Sequence, residues 1–436
     1  MPPQSAIIIG GSLSGLLAAL TLSPHIPQTT ILESTPAAST RHSQAAGISP
    51  GPDFLAFMAR HDRTGRAYTV GKAPASVVGL DGAIVKPMGA VLELSSWSVL
   101  YAILRANYDG FSSVVVPEPP SGVAGGTYLS GRRVVGVDLS DEKVVRVKCA
   151  VEGRGEEVYE AEMVVVADGS YSTVRELLFP GSRRRYTGYV SWRGTVREAE
   201  ISEATSEYFD GALKMFMGLK NGYMLVYKIP SDEGELRPGG RLINFVWYHE
   251  MAEGSPDLKM AMTDINGKEH FNTVTRDLLQ PQAWEKQKAF GVPQVPLPFQ
   301  ELLQTATSIF ITKINDSATS QPVVQDRLFF VGDALRALRP HNAQSTNQAG
   351  FHCRLLEQVI LGNMTTKEWQ HEVVSQGRIT GEMSTFIGMM GFRRKFAMLA
   401  AYLRHLRLVC VYKFVGFWGW LFRGRKSTGY KEFLNN

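Results

Sequence analysis

Three short clusters, far apart in the chain, carry residue types suited to gripping a phosphorylated cofactor. The first is Gly10-Gly11-Ser12-Leu13-Ser14-Gly15. Small residues let the backbone approach an anion there, and the start of a helix adds positive potential. Ser12 takes the second glycine position of a G-x-G-x-x-G fingerprint; it is small enough for that approach and brings a hydroxyl. No Lys or Arg occurs in the first 40 residues, which leaves the work to backbone N–H groups and the helix dipole. Glu33 stands 23 residues after Gly10, close to the spacing at which an acid accepts ribose hydroxyls. The second cluster is Ala167-Asp168-Gly169-Ser170-Tyr171-Ser172-Thr173-Val174-Arg175, an acid and a glycine ahead of hydroxyl residues that open a helix. The third is Val331-Gly332-Asp333-Ala334-Leu335, followed by Arg339-Pro340-His341 and Asn347. A strand-end Gly-Asp can hold a polyol chain. Singly, a glycine turn or a plain helix cap explains each cluster equally well. Their order and separation point to one cofactor held by all three.

The elements that must position them are legible from periodicity. Ala6–Ile9 is a buried strand, and Leu13, Leu16, Leu17 and Leu20 follow at helical spacing. Thr29–Leu32 is a second strand ending at Glu33, which completes the opening of a Rossmann unit. Asp53–Arg63 and Trp97–Ala106 read as helices; Val134–Val137 and Val144–Val147 alternate like a hairpin. Met163–Val166 and Leu328–Val331 are apolar strands that lead into the second and third clusters. Between them, Tyr189–Val196, Leu213–Met217, Tyr223–Ile229 and Arg241–His249 read as strands of a different sheet. Thr273–Lys288, Pro298–Ala306 and Ala343–Leu361 read as helices, and the chain is helical again from about Thr366.

With those motifs in place, the sequence resembles the single-component FAD-dependent aromatic hydroxylases (the p-hydroxybenzoate hydroxylase fold). It is most similar to their 2,6-dihydroxypyridine 3-hydroxylase branch. The likeness runs over about residues 5–365 and includes Ala45-Ala46-Gly47-Ile48, Ser96-Trp97-Ser98-Val99-Leu100-Tyr101 with Arg105, Tyr189-Val190-Ser191-Trp192-Arg193-Gly194, and Asn244-Phe245-Val246-Trp247-Tyr248. It implies an α/β fold: a Rossmann-type FAD-binding domain interwoven with a mixed-sheet substrate domain, plus a helical C-terminal tail. On that plan residues 1–75, 95–182 and 301–365 form the FAD-binding domain. Residues 76–94 and 183–300 form the substrate domain, and 366–436 a basic, aromatic helical region.

The resemblance also assigns residues. Gly10, Gly11, Ser12, Gly15 and Glu33 hold the ADP half of FAD, with Gln44, Ala46 and Gly47 beside the cofactor and Arg105 near its phosphates or ribose. Asp168 and Gly169 sit beside FAD and a visiting NADPH (or NADH). Gly332 and Asp333 bind the ribitol, and Pro340, Ala343, Ser345 and Asn347 lie against the flavin ring. The implied activity is NADPH- and O2-dependent hydroxylation of an electron-rich aromatic or heteroaromatic small molecule through a C4a-hydroperoxyflavin, in specialised metabolism. Epoxidation of an alkene or indole is the alternative reaction, and a non-catalytic FAD-fold binding protein the alternative class. Departures are visible. Ala343 and Ser345 replace two glycines of the flavin-edge loop, Gln44 stands where the branch often has Arg (Arg41 is nearby), and Trp97 replaces an Arg.

Such chemistry needs no nucleophilic triad, only a site that orients the ring, excludes water and helps deprotonate a phenol. Three residues are candidates for catalysis: His341 beside the flavin loop, His249 at a strand end, and Arg193. Each has a plainer reading, as loop packing, a surface histidine and a domain-junction anchor. Alternation on Arg241–His249 puts Ile243, Phe245, Trp247 and His249 on one face, with Asn244, Val246 and Tyr248 on the other; one face is the pocket. Arg183-Arg184-Arg185 reads as a solvated basic turn or as an attractor of NADPH phosphates.

Composition bounds the rest. With 436 residues, 44% hydrophobic and 20% charged, the chain is globular rather than disordered or collagen-like. Three scattered cysteines exclude a disulfide scaffold or a Cys-type metal site and fit a reducing, cytoplasmic compartment. From Phe392 to Asn436 there are ten Lys/Arg and one acid, so the remainder carries −4 of the net +5. That asymmetry is unlike a nucleic-acid-binding face. The tail's aromatics fit an interfacial helix on a membrane surface, packing on the body, or self-association through 392–426. Trp418-Gly419-Trp420 lacks the rest of a flavin-halogenase signature.

Overall fold

The computed structural model describes residues 3–37, 46–122, 125–182, 184–319 and 321–423, with side chains as far as 414. Gln44, Arg41 and Arg183 lie outside the described residues.

Two sheets organise the chain. The first runs Val323–Val324, Leu328–Phe330, Met163–Val166, Ser5–Ile9, Gln28–Leu32, Thr127–Leu129. All pairings are parallel except that of the short edge strand Val323–Val324. Its central strands are apolar throughout because both faces are covered, by helices and by a separate three-stranded sheet of Arg133–Asp138, Val145–Val151 and Gly155–Ala161. Helix Leu13–Leu22 accordingly buries nearly every residue, and it packs between helices Trp97–Asp109 and Ser345–Ile360. This arrangement brings the ends of three separated sequence segments side by side. Ile9 pairs with Val166 and with Leu32, and Val166 pairs with Phe330.

The second sheet has nine strands. Its order is Thr273–Val274, Ser308–Ala318, Arg185–Arg197, Leu242–Glu250, Gly222–Ile229, Leu213–Phe216, Lys72–Val78, Ile84–Glu93, with Arg336–Ala337 pairing beside Ser308–Ala318. It therefore starts at Lys72 rather than 76. It also takes 308–318, which the sequence reading assigns to the first domain. Along each strand, alternate residues divide between two faces. One face carries Trp192, Met224, Val226, Phe245, Trp247, Ile309 and Ile311 into an apolar core, closed by helices Pro281–Gly291 and Leu297–Thr305.

Two helix expectations need correction. Thr273–Lys288 is not one helix: Thr273–Val274 is a strand, Arg276–Leu278 a single tight turn, and the helix begins at Pro281. Proline lacks an N–H and is accepted in a helix only in its first turn, so Pro281 marks a start. The helix expected from Ala343 begins at Ser345 instead. Ala343 itself is left-handed, at φ +53°. Beyond the sheets, helix Thr366–Gly391 lies across the flavin-side loop, and helix Lys395–Arg423 packs back on it.

Candidate functional site

The three clusters converge at the carboxyl ends of adjacent parallel strands, where open α/β sheets bind ligands. Gly10 has φ +101°, and a Cβ there would strike the backbone of Ala167 and Asp168. A Cβ at Gly15 would overlap the carbonyl oxygen of Gly10. A Cβ on Gly332 would meet the Ser14 hydroxyl. Arg175, fully buried, ties the second cluster to the third: its guanidinium donates to the carbonyls of Ser170 (2.6 Å) and Ala334 (2.8 Å). Asp168 and Asp333 each keep one carboxylate oxygen, Oδ1, buried without a partner. Burial pushes both carboxyls up, Asp333 to about 6. Buried orphan acceptors at the end of a nucleotide-type sheet fit the hydroxyl-rich chain of FAD, and the glycine cradle fits its pyrophosphate.

Several assigned residues meet here in ways the sequence did not show. The Glu33 carboxylate accepts from the Gly11 N–H (2.7 Å) and the Thr35 N–H (2.7 Å), so it also braces the loop it was expected to serve. Ser12 Oγ accepts from the Trp97 indole N–H at 3.1 Å. The two departures, Ser12 for glycine and Trp97 for arginine, thus complement each other. The Arg105 guanidinium is held by Asp109 and lies over the Tyr128 ring, 3.6 Å from its centroid. Tyr128 in turn donates to the Gly11 carbonyl (3.1 Å), so Arg105 reaches the loop only through it. The Asn347 side chain accepts from the Asp53 N–H (2.8 Å) and pins helix Pro52–His61.

A cavity of about 840 Å³ opens between the two sheets. One side is the cofactor side: Gly47, Asp333, Pro340, Ala343 and Ser345. The opposite wall is the second face of the nine-stranded sheet, with Ser191 and Arg193, Leu225 and Tyr227, Val246 and Tyr248, Leu213 and Met215. Helix Thr366–Gly391 adds Met383, Phe386, Ile387 and Met390. The pocket face of Leu242–Glu250 is therefore the one bearing Val246 and Tyr248. His249 is on the opposite face from the cavity, against Trp247 and Phe290, and burial lowers it to about 4. The tryptophan-rich face belongs to the helices, which is why His249 follows it away from the cavity.

Arg193 faces the cavity with Nε buried and unpartnered. Nearby, Tyr227 and Tyr248 are held protonated by burial. Asn244, at the far end of the same strand, accepts from the Gly47 N–H (3.0 Å) and so fixes the cofactor-side strand to the roof. Tyr227, Tyr248 and Asn244 are functional candidates that motif reasoning missed. The alternation on Arg241–His249 was the available signal for the last two.

His341 lines the cavity, but both ring nitrogens are taken: Nε2 by the Tyr189 hydroxyl (2.7 Å) and Nδ1 by the Tyr223 hydroxyl (2.5 Å). Burial first, then the Arg339 and Arg193 charges, lower it to about 3. It is a neutral clamp between the flavin-side loop and the sheet. His352, whose Nδ1 accepts from the Gly332 N–H (3.0 Å), is also lowered to about 3 by burial. Unfolded histidine takes a proton near pH 6.5, while these folded rings do so only near 3. Their share of stability is whole above the unfolded value and is lost as pH falls through that window. The urea midpoint should therefore drop between about pH 7 and pH 5, and His352→Gln should flatten the drop. A midpoint level with pH in both proteins would contradict this.

A family model described as FAD binding domain-like matches residues 186–316. The chain is 28% identical over 375 residues to 2,6-dihydroxypyridine 3-monooxygenase of Paenarthrobacter nicotinovorans, spanning 85% of this chain and 87% of that protein. The structure of 2,6-dihydroxypyridine-3-hydroxylase from Arthrobacter nicotinovorans superposes with a TM-score of 0.74 at 25% identity, covering 89% of this chain and 94% of that one. HpxO of Klebsiella pneumoniae, solved with FAD and uric acid, shares the fold with a TM-score of 0.63 at 17% identity, over 92% and 93% of the two chains.

Proposed function

We infer that this chain, an FAD-dependent monooxygenase built on the aromatic-hydroxylase plan, uses NADPH (or NADH) and O2 to hydroxylate an electron-rich phenol or hydroxylated heteroaromatic ring. The observation that carries the reading is the placement of Arg193. It is a cation with an unpartnered Nε on the sheet wall of a mostly apolar cavity, across from the loop that would bear the flavin. FAD, when bound, supplies the activated oxygen that the ring receives. Asp333 and Asp168 would hold the cofactor, with the Gly10–Gly15 loop on its phosphates. The protein's own part is orientation and proton control. A phenol oxygen placed at Arg193 becomes more acidic, because a neighbouring cation favours the anion. The resulting phenolate is the richer nucleophile. Tyr227 and Tyr248 stand beside that position as hydrogen-bond donors, and the apolar wall keeps water out.

The cavity has room for more than a flavin ring and a single small ring, and most of its far wall is Leu, Met, Ile and Phe. A substrate with an apolar substituent fits, and with it a role in specialised metabolism. A screen of phenols and hydroxyquinolines that follows NADPH consumption and product mass together tests the reading. Gain of one oxygen atom, coupled to NADPH, is expected. NADPH oxidation that releases only peroxide across the whole panel would count against it.

A further inference from the structure

The terminal helix Lys395–Arg423 has one face that the rest of the described protein leaves bare. Its inner side is accounted for. Ala401 is buried, His405 Nδ1 pairs with the Ile379 carbonyl (3.0 Å), Arg404 binds Glu382 (2.9 Å), and the Tyr412 hydroxyl donates to Glu372 (2.6 Å). All those partners lie on helix Thr366–Gly391. The outer side carries Phe396 (91% exposed), Leu399, Leu403 and Leu406. Spacings of three and four residues put them on a single stripe. A run of large apolar side chains in water is not what a monomer's surface normally holds.

Charge says what covers it. Between Phe392 and Phe414 there are six Lys/Arg and no Asp or Glu. Lys395 falls along one flank of the stripe and Arg407 lies within it, while Arg404 on the other flank is already paired with Glu382. Apolar side chains in the middle with long cations at the margins is the pattern of a helix lying in a lipid interface, where the cations reach up to headgroups. A second copy of this chain would bring like charge against like. The sequence continues past 414 with Phe417, Trp418, Trp420 and Phe422 among further Lys/Arg, a composition suited to the headgroup level. No helix among the described residues is long and apolar enough to cross a membrane.

We propose that the outer face of this helix seats the protein on an anionic lipid surface. The seat has a consequence for the cavity. Phe386 lines the cavity from helix Thr366–Gly391 and also touches Tyr402 of the terminal helix, ring centroids 5.4 Å apart. The apolar wall of the cavity is thus one helix away from the lipid. The proposal does not depend on the flavin chemistry.

Co-sedimentation of the full-length, FAD-loaded protein with vesicles tests it. Two compositions suffice: phosphatidylcholine alone, and phosphatidylcholine with about a third phosphatidylserine. Binding at least about tenfold stronger to the anionic vesicles, weakened by added salt, is expected. Leu399→Glu combined with Leu403→Glu should abolish it while leaving the melting temperature and bound flavin unchanged, since both side chains are more than half exposed. Lys395→Gln with Arg407→Gln keeps the apolar stripe and should weaken anionic binding several-fold. Three results would overturn the proposal. One is equal, weak binding to both vesicle types. Another is full binding by the double glutamate variant. The third is a concentration-dependent dimer that the glutamates dissolve, which would give the face to a second copy.

Discussion

Asp333→Asn is expected to raise the melting temperature of the flavin-free protein and, in the same protein, to weaken flavin binding by about 10- to 100-fold. The two effects have one cause. Asp333 is half-buried with its Oδ1 fully buried and unpartnered, and desolvation holds its carboxyl at about 6. A folded value raised above the unfolded one means the ionised form is penalised by the fold. The penalty is absent below about pH 4, grows as pH rises toward 6, and is complete above that. Raising a carboxyl from its ordinary range to about 6 costs about 3 kcal/mol once it is ionised, so removing the charge should stabilise the empty protein by about 1–3 kcal/mol at pH 8. That gain should vanish near pH 4, where wild-type Asp333 is itself neutral. Bound FAD would reverse the balance, because a hydroxyl of the cofactor donating to a carboxylate makes a stronger bond than one donating to an amide. Thermal melts with and without FAD, together with flavin fluorescence titration, measure both signs. Unchanged flavin affinity in Asp333→Asn would remove the third cluster from the cofactor site.

Arg193→Met should reduce kcat/KM by about 30- to 1000-fold while FAD binding and thermal stability stay close to wild type. The range corresponds to about 2–4 kcal/mol, the loss of a charge-assisted hydrogen bond to a substrate oxygen in a water-poor site. Stability should hold because Arg193 forms no ion pair with any described residue, so no carboxylate is orphaned by the change. The pH profile is the more telling readout. Without the cation the bound phenol should ionise at higher pH, and the rising limb of kcat/KM should move up by about one unit or more. Arg193→Lys keeps the charge but loses the planar fork, and should recover part of the rate and most of the limb position. Turnover by Arg193→Met with an unshifted profile would mean that no phenolate is involved. Epoxidation of an alkene would then be the better reading.

His249 and Arg193 show where sequence reading reaches its limit. Both sit on strands of the same sheet and both are polar in an apolar run. Alternation correctly sorted the residues of Leu242–Glu250 into two sets, but it is blind to which set meets helices and which meets a cavity. That depends on Pro281–Gly291 and Leu297–Thr305 packing behind the sheet, a long-range fact. His341 is a similar case: the sequence placed it beside the flavin-side loop, but only the fold supplied Tyr189 and Tyr223 to occupy its ring. The pairing of Ser12 with Trp97 joins residues 85 positions apart, and neither residue alone announces it.

What the chain settled by itself is local and contiguous. Apolar β-branched runs ending in Gly-Gly, Asp-Gly and Gly-Asp specify strands and the turns after them, because backbone sterics and neighbouring side chains act within a few residues. Three such units in one order point to a single nucleotide cofactor. Tertiary structure alone decided which sheet face became the cavity, which ring nitrogens stayed free, and which side of the last helix was left uncovered. Those outcomes turn on contacts between segments from about 20 to about 150 residues apart, where burial and charge are properties of the assembled surfaces and of no single stretch.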